Sequence, residues 1–332
     1  MKSRLAVSAL ALVAVMAGCE SISYYSQAIS GQLSLFSRTR PVDDWLADPG
    51  TPPELRARLL KARGIREFAS RALALPDNGS YSSYAQLDRP YVVWNVYAAG
   101  EFAVDAKQEC FPFAGCVSYR GFFSEADAQK HAEGLRKQGY DVYVGGVAAY
   151  STLGWFDDPL LSTFIQYPDV QLARLVFHEL AHQRVYTKGD TTFNESFAVT
   201  VEEEGVRRWL ETEGRGTELA AFRALQARKR EFAARVKQAR ERLASIYAAG
   251  GSREALLEQK RGEFDRLRSD YPGIVPAEPN NAFLVSISLY TEMVPAFERL
   301  LAACNGDLGE FYRRATRISS MPKDERPLAL AR

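Results

Sequence analysis

The sequence predicts an α+β fold that is predominantly helical, and three observations carry the prediction. Apolar residues recur at helical spacing along most of the chain. Only two segments have the β-branched and aromatic density of strands. Residues 217–270 read as one long helical hairpin, the αα unit of a bundle. The 332 residues, 46% of them hydrophobic, suffice for a substantial buried core. A formal net charge of +1 gives no electrostatic reason to expect nucleic acid as a partner.

Taken in order, residues 1–18 read as a signal peptide. A basic start, Met1-Lys2-Ser3-Arg4, precedes an apolar run from Leu5 to Ala17 that is short for a membrane-spanning helix. The run ends in Met16-Ala17-Gly18-Cys19, which resembles the lipobox of bacterial lipoproteins. That resemblance implies cleavage before Cys19, a lipid on Cys19, and a membrane anchor through it. Glu20, where an aspartate would retain the protein at the inner membrane, implies an outer-membrane lipoprotein facing the periplasm. The alternative is ordinary secretory cleavage. Export implies an oxidising compartment. Cys110 and Cys116, with Pro112 and Gly115 between them, are therefore expected to form a disulfide, with Cys304 unpaired. Three cysteines without a matching set of histidines argue against a structural zinc site.

Residues 19–50 are polar and turn-rich and read as a tether, with Leu33–Phe36 able to pack on the body; the domain is expected over residues 51–332. Leu55, Leu59, Leu60, Ile65 and Phe68 place a helix over 53–74. Pro76-Asp77-Asn78-Gly79 then forces a turn. Tyr91–Tyr97 is a strand, Ser124–Gln138 a helix and Asp141–Val147 a second strand, continued as extended chain through Ala148–Phe156 that is broken at Gly154 and by Pro159. Helices follow over 170–186 and 193–213, then the hairpin. Its stripe of Leu219, Phe222, Leu225, Phe232, Val236 and Leu243 faces a core, and its mixed charges face solvent. A last helical region covers about 280–317.

The chemistry is concentrated in His178-Glu179-Leu180-Ala181-His182, an HExxH motif. Residues four apart on a helix lie about 40° apart around its axis, so both imidazoles can reach one Zn2+ ion. The intervening Glu179 then serves as general base towards a water made acidic by the metal. The chain holds only three histidines, and two lie in this motif, on a helix whose other faces are apolar. Histidines on a core helix need partners, and a metal satisfies both. His131 has no motif context, so the third ligand is expected to be a carboxylate. Glu195 is the best placed, at the start of the next helix. Thr192-Phe193-Asn194-Glu195 equally fits a capping box, and position alone leaves both readings open.

Asn194-Glu195-Ser196-Phe197-Ala198 resembles the third-ligand helix of gluzincin aminopeptidases, with Glu202 on the same face and a shorter interval between His182 and Glu195. The resemblance implies a zincin-like core, with a small sheet beside the HExxH helix. It also implies His178, His182 and Glu195 as ligands. A wider resemblance spans residues 70–315. It is carried by Val92-Val93-Trp94-Asn95-Val96, by Ala114–Gly121, by Ala149–Leu160 and by Gly189–Ser196. These strings resemble the bacterial "predicted aminopeptidase" family of zinc peptidases, often lipoproteins, which implies peptide or protein substrates.

Other residues are candidates around the metal. Gly146–Leu153 would suit an edge strand that pairs with substrate. Tyr290 is the first candidate for stabilising the oxyanion, with Tyr150 and Tyr186 as rivals. Asp157 and Asp158 would bind a substrate amine or cap a turn, and Asp190 would orient a ligand histidine or simply shape its turn. The expected function is zinc-dependent aminopeptidase action. An envelope endopeptidase, or an inactive zincin-like lipoprotein with a binding or structural role, is the alternative.

Overall fold

The computed structural model describes residues 26–111 and 115–331; the expected signal peptide and lipid site at Cys19 lie outside the described residues. A helical segment over 26–36 (α1) leads into β1 (Thr39–Pro41), α2 (Val42–Ala47) and α3 (Pro53–Leu73). Residues 26–50, expected as a tether, thus belong to the folded body. Leu35 and Val42 are buried in the main core, and β1 pairs with β2 (Ser83–Ala85). The sequence hid this because the segment contributes few buried apolar residues, chiefly Leu35 and Val42.

The expected strand and helix pair follow. β3 (Val93–Gly100) precedes a small hairpin, β4 (Glu109–Phe111) and β5 (Gly115–Val117), in which Cys110 and Cys116 face each other and are disulfide-bonded. Then come β6 (Arg120–Phe122), α4 (Glu125–Lys137) and β7 (Tyr140–Val147). β3 lies between β6 and β7, antiparallel to both, with Trp94 opposite Phe122 and Gly146. Alternation along β3 explains why both faces are apolar. Trp94, Val96 and Ala98 pack with Ala128, Ala132 and Leu135 of α4, while Tyr97 and Ala99 face the other way. Ser124 caps α4 by accepting from the Asp127 amide, 3.2 Å.

β7 itself ends at Val147, and the chain beyond it is irregular. It turns at the expected break, with Leu153 and Gly154 at φ +59° and +80° and the Trp155 amide donating to the Thr152 carbonyl. β8 (Leu160–Leu161) joins β2 in parallel, completing the sheet β1-β2-β8.

Helices make up the rest: α5 (Asp169–Arg184), α6 (Thr191–Thr212), α7 (Gly216–Ala249) and α8 (Arg253–Asp270). The last two are the expected hairpin, packed through Phe232, Val236 and Leu243 against Phe264 and Leu267. The final helical region divides into α9 (Asn281–Thr291), α10 (Val294–Ala303) and α11 (Leu308–Ser319), with a short α12 (Arg326–Leu330). α5 has α6 and α3 as its main partners. The sheet β6-β3-β7 is covered by α4 and α9 and looks at α5 across a cavity instead of packing on it. The architecture is α+β and predominantly helical, as expected.

Candidate metal centre

Three elements set the position of α5. The Arg58 guanidinium of α3 holds its first turn, bonding Asp169 at 2.7 Å and the Ile165 carbonyl at 2.9 Å. Leu172, Val176, Phe177 and Leu180 are wholly buried, which fixes the rotation of the helix and turns His178 and His182 the other way. α6 then returns antiparallel after only six residues. Asn194 staples that turn: its side-chain amide donates to the Thr187 carbonyl and its oxygen accepts from the Thr187 amide, both at 2.8 Å. Gly205 lets the two helices close, since a Cβ there would lie 2.8 Å from both Leu73 and Phe177.

The return brings Glu195 to the histidine pair. Its Oε2 lies 3.2 Å from His178 Nε2 and 3.5 Å from His182 Nε2, and the two Nε2 atoms are 3.2 Å apart. The capping-box alternative fails, because the helix cap is Asp190, which accepts from the Phe193 amide at 3.2 Å. Asp190 does not orient a histidine either; its other oxygen is engaged by Arg326 at 2.7 Å. Glu202 does the orienting, two turns beyond Glu195 on the same face of α6. It meets His178 Nδ1 at 2.9 Å and is held in turn by Arg174 at 3.3 Å. Arg174 stands one helical turn before His178, a spacing that would have flagged it in the sequence.

These contacts fit a metal ion. With Nδ1 of His178 donating to Glu202, its Nε2 carries a lone pair aimed at His182 Nε2 and at a carboxylate oxygen. Three such donors converging in a buried site repel unless a cation lies between them. Their separations are close to the edges of a tetrahedron of ligands about 2.0–2.1 Å from zinc. Among the described residues, Nδ1 of His182 is buried without a hydrogen-bond partner, so the ring is engaged only through Nε2, the atom that faces His178 and Glu195. Among the described residues, His178, His182 and Glu195 are the group able to hold a metal.

The electrostatics follow from burial and proximity. Burial opposes a charged His178, but Glu195 and Glu202 outweigh it and raise the metal-free ring to about 10. Burial likewise opposes a charged Glu195, yet the two histidines bring it down to about 2. Glu179 shifts the other way: burial raises it, the histidines only partly offsetting this, so it is a stronger base than a free glutamate.

The site opens on a cavity of about 1250 Å³, bounded by α5, α6, α7, α9 and the sheet. Glu179 is in its wall, as are Gly145–Val147 of β7, an edge strand whose one partner among the described residues is β3, and Ala148 and Ala149 just beyond it. Tyr290, Tyr186 and Tyr150 also line it. Tyr150 is occupied by a hydrogen bond to Gln32. Tyr290 neighbours Tyr97 and Tyr119, and burial followed by the Glu195 charge raises Tyr290 and Tyr119 well above an ordinary phenol. Tyr119 and Tyr97 were not apparent from the sequence, because only long-range pairing brings them to α9.

Asp157 and Asp158 are not part of this cavity's lining. Asp158 is buried and accepts from the Thr152 amide at 3.0 Å, which is the turn-capping role.

Two histidines and a carboxylate converge on one point beside a glutamate in the wall of a deep cavity, a group that could hold a metal ion. Over residues 23–330 the chain matches the family described as "putative aminopeptidase", and it belongs to that family. No curated protein and no solved structure matches it.

Proposed function

We propose that the chain is a zinc-dependent peptidase that acts as an aminopeptidase, with His178, His182 and Glu195 as ligands. The observation that carries this reading is the convergence of His178 Nε2, His182 Nε2 and Glu195 Oε2 within 3.2–3.5 Å, with Glu179 in the adjoining cavity wall. Bound zinc would supply a Lewis acid and a water acidic enough to be deprotonated near neutrality. Glu179, made more basic by burial, takes the proton of the attacking water and hands it to the departing amine. The free edge of β7 holds the peptide backbone by strand addition, and Tyr290 donates to the developing oxyanion. Glu202 and Arg174 keep His178 in the tautomer that leaves Nε2 free. The family description supports removal of N-terminal residues. The resemblance of Met16-Ala17-Gly18-Cys19 to a lipobox supports anchoring on the outer membrane, facing the periplasm.

Metal content tests the core of this reading. Purified wild type should carry one zinc per chain, and His182→Ala and Glu195→Gln should lose it. A metal-replete wild type without zinc would sink the proposal. Peptide amides with a free N-terminus should be cleaved and N-acetylated ones spared; cleavage of both would make the enzyme an endopeptidase.

A further inference from the structure

The outward face of α1 is uncharged, and among its serines it bears two bare aliphatic side chains. Ile29 and Leu33, one helical turn apart, are 58% and 63% exposed, and Phe36 continues the row. The opposite face is committed to the body. Leu35 is buried, Gln27 accepts from the Phe123 amide at 3.2 Å, and Gln32 is bonded by Tyr150. A second segment extends the outward row. Phe156 packs its ring 5.1 Å from that of Phe36 and is itself 53% exposed, and its neighbour Trp155 is 83% exposed. In a chain that is one-quarter charged, residues 21–37 contain no charged side chain at all. A water-facing helix has no physical reason to combine bare branched aliphatics with a complete lack of charge.

Position decides what covers this face. Cys19, the proposed lipid site, is seven residues before Ser26. Seven residues reach at most about 25 Å, so a lipid on Cys19 holds α1 at the membrane surface. Tethering at that range gives an effective concentration of order millimolar, and weak insertion then suffices to fix orientation. No described helix is long and apolar enough to cross a membrane, so the contact is one of lying on the surface.

We propose that Ile29, Leu33, Trp155 and Phe156 form a bilayer-docking face that seats the lipid-anchored chain on the membrane. The proposal rests on the lipoprotein reading for the tether, and it adds an orientation that a lipid anchor alone does not give. Ala28, on the inner side of α1, lines the metal cavity. Docking therefore sets that rim of the cavity beside the lipid headgroups.

Trp155 provides the test, because Trp94 and Trp209 are buried and Trp45 is half-buried. The chain beginning at Cys19 is coupled through that thiol to maleimide lipid in phosphatidylethanolamine–phosphatidylglycerol vesicles with brominated acyl chains. The Trp155 signal is wild type minus Trp155→Phe. Docking gives a blue shift and a roughly twofold loss of its intensity, and Ile29→Ser/Leu33→Ser abolishes both while keeping the wild-type zinc content. An unquenched, unshifted Trp155 in the tethered wild type overturns the proposal. So does a vesicle-free, concentration-dependent dimer that the double variant dissolves, which would assign the face to a second copy. The intact mass of chain extracted from bacterial membranes reports separately on Cys19. Absence of a lipid there defeats the anchor reading and leaves the docking measurement to stand or fall on its own.

Discussion

At the scale of single residues, the site is a problem of where lone pairs and protons go. His178 is the hinge of that problem, since Glu202 claims one nitrogen and the metal position the other. Replacing Glu202 by Gln should weaken zinc binding by about 10- to 100-fold while leaving the fold intact, as measured by competition with a chelator. Glu179→Gln should keep zinc and lose about 10²- to 10⁴-fold in kcat. The pH profile of kcat/KM has a sign set by the same group. Burial raises Glu179, and the base must be ionised, so the acid limb should lie above the ordinary glutamate value of about 4.3. The buried phenols are raised, not lowered, so Tyr290 remains a donor through neutral pH. His178, Glu179 and His182 were legible in the sequence because helical geometry alone relates them. Tyr119 was not, because its place beside Tyr290 depends on a sheet and a helix far apart in the chain.

Elements carry the next level of control, and α6 is the most demanding of them. It must start within six residues of α5 and lie close against it for Glu195 and Glu202 to arrive together. Asn194→Ala removes two buried hydrogen bonds and strands both backbone groups of Thr187, a cost of about 2–4 kcal/mol. Thermal unfolding should register it, together with a fall in zinc affinity. Gly205→Ala should cost about 1–3 kcal/mol through overlap with Leu73 and Phe177. The sequence announced α3, α4, α5 and the hairpin by periodicity, within a residue or two. The helical region expected over about 280–317 is divided between α10 and α11. Asn305 and Gly306, both at positive φ, make that break, and the Asn-Gly pair was a readable turn signal. The turn at 153–154 was partly readable through Gly154; Leu153 at positive φ was not.

For the whole molecule, the cavity concentrates charge where α6 faces α7, and this makes stability depend on pH. Burial raises Glu203 to about 7, with Arg230 opposing and Glu202 and Glu298 adding to the shift. A carboxyl raised in the folded state favours folding while protonated. That contribution is intact below the unfolded value of about 4.3 and is lost as the pH climbs through 7. Glu203→Gln should therefore gain about 1–3 kcal/mol over wild type at pH 8 relative to pH 4, measured by denaturant unfolding at both. Metal bound to α5 and α6 adds to folded-state stability by mass action, about 2.7 kcal/mol at a hundredfold excess over Kd. Chelation should lower the melting temperature accordingly.

The turn between the two ligand helices is also gripped from far downstream. Arg326 bonds Asp190, Lys323 donates to the Gly189 carbonyl, and Thr187 donates to the Ser319 carbonyl, across sequence separations of 132–136 residues. These grips cannot exist while the segment around 319–326 is still being synthesised. Contacts so distant in sequence form late in folding. The frame around the histidines is therefore complete only once residues 319–326 have docked on the turn between α5 and α6.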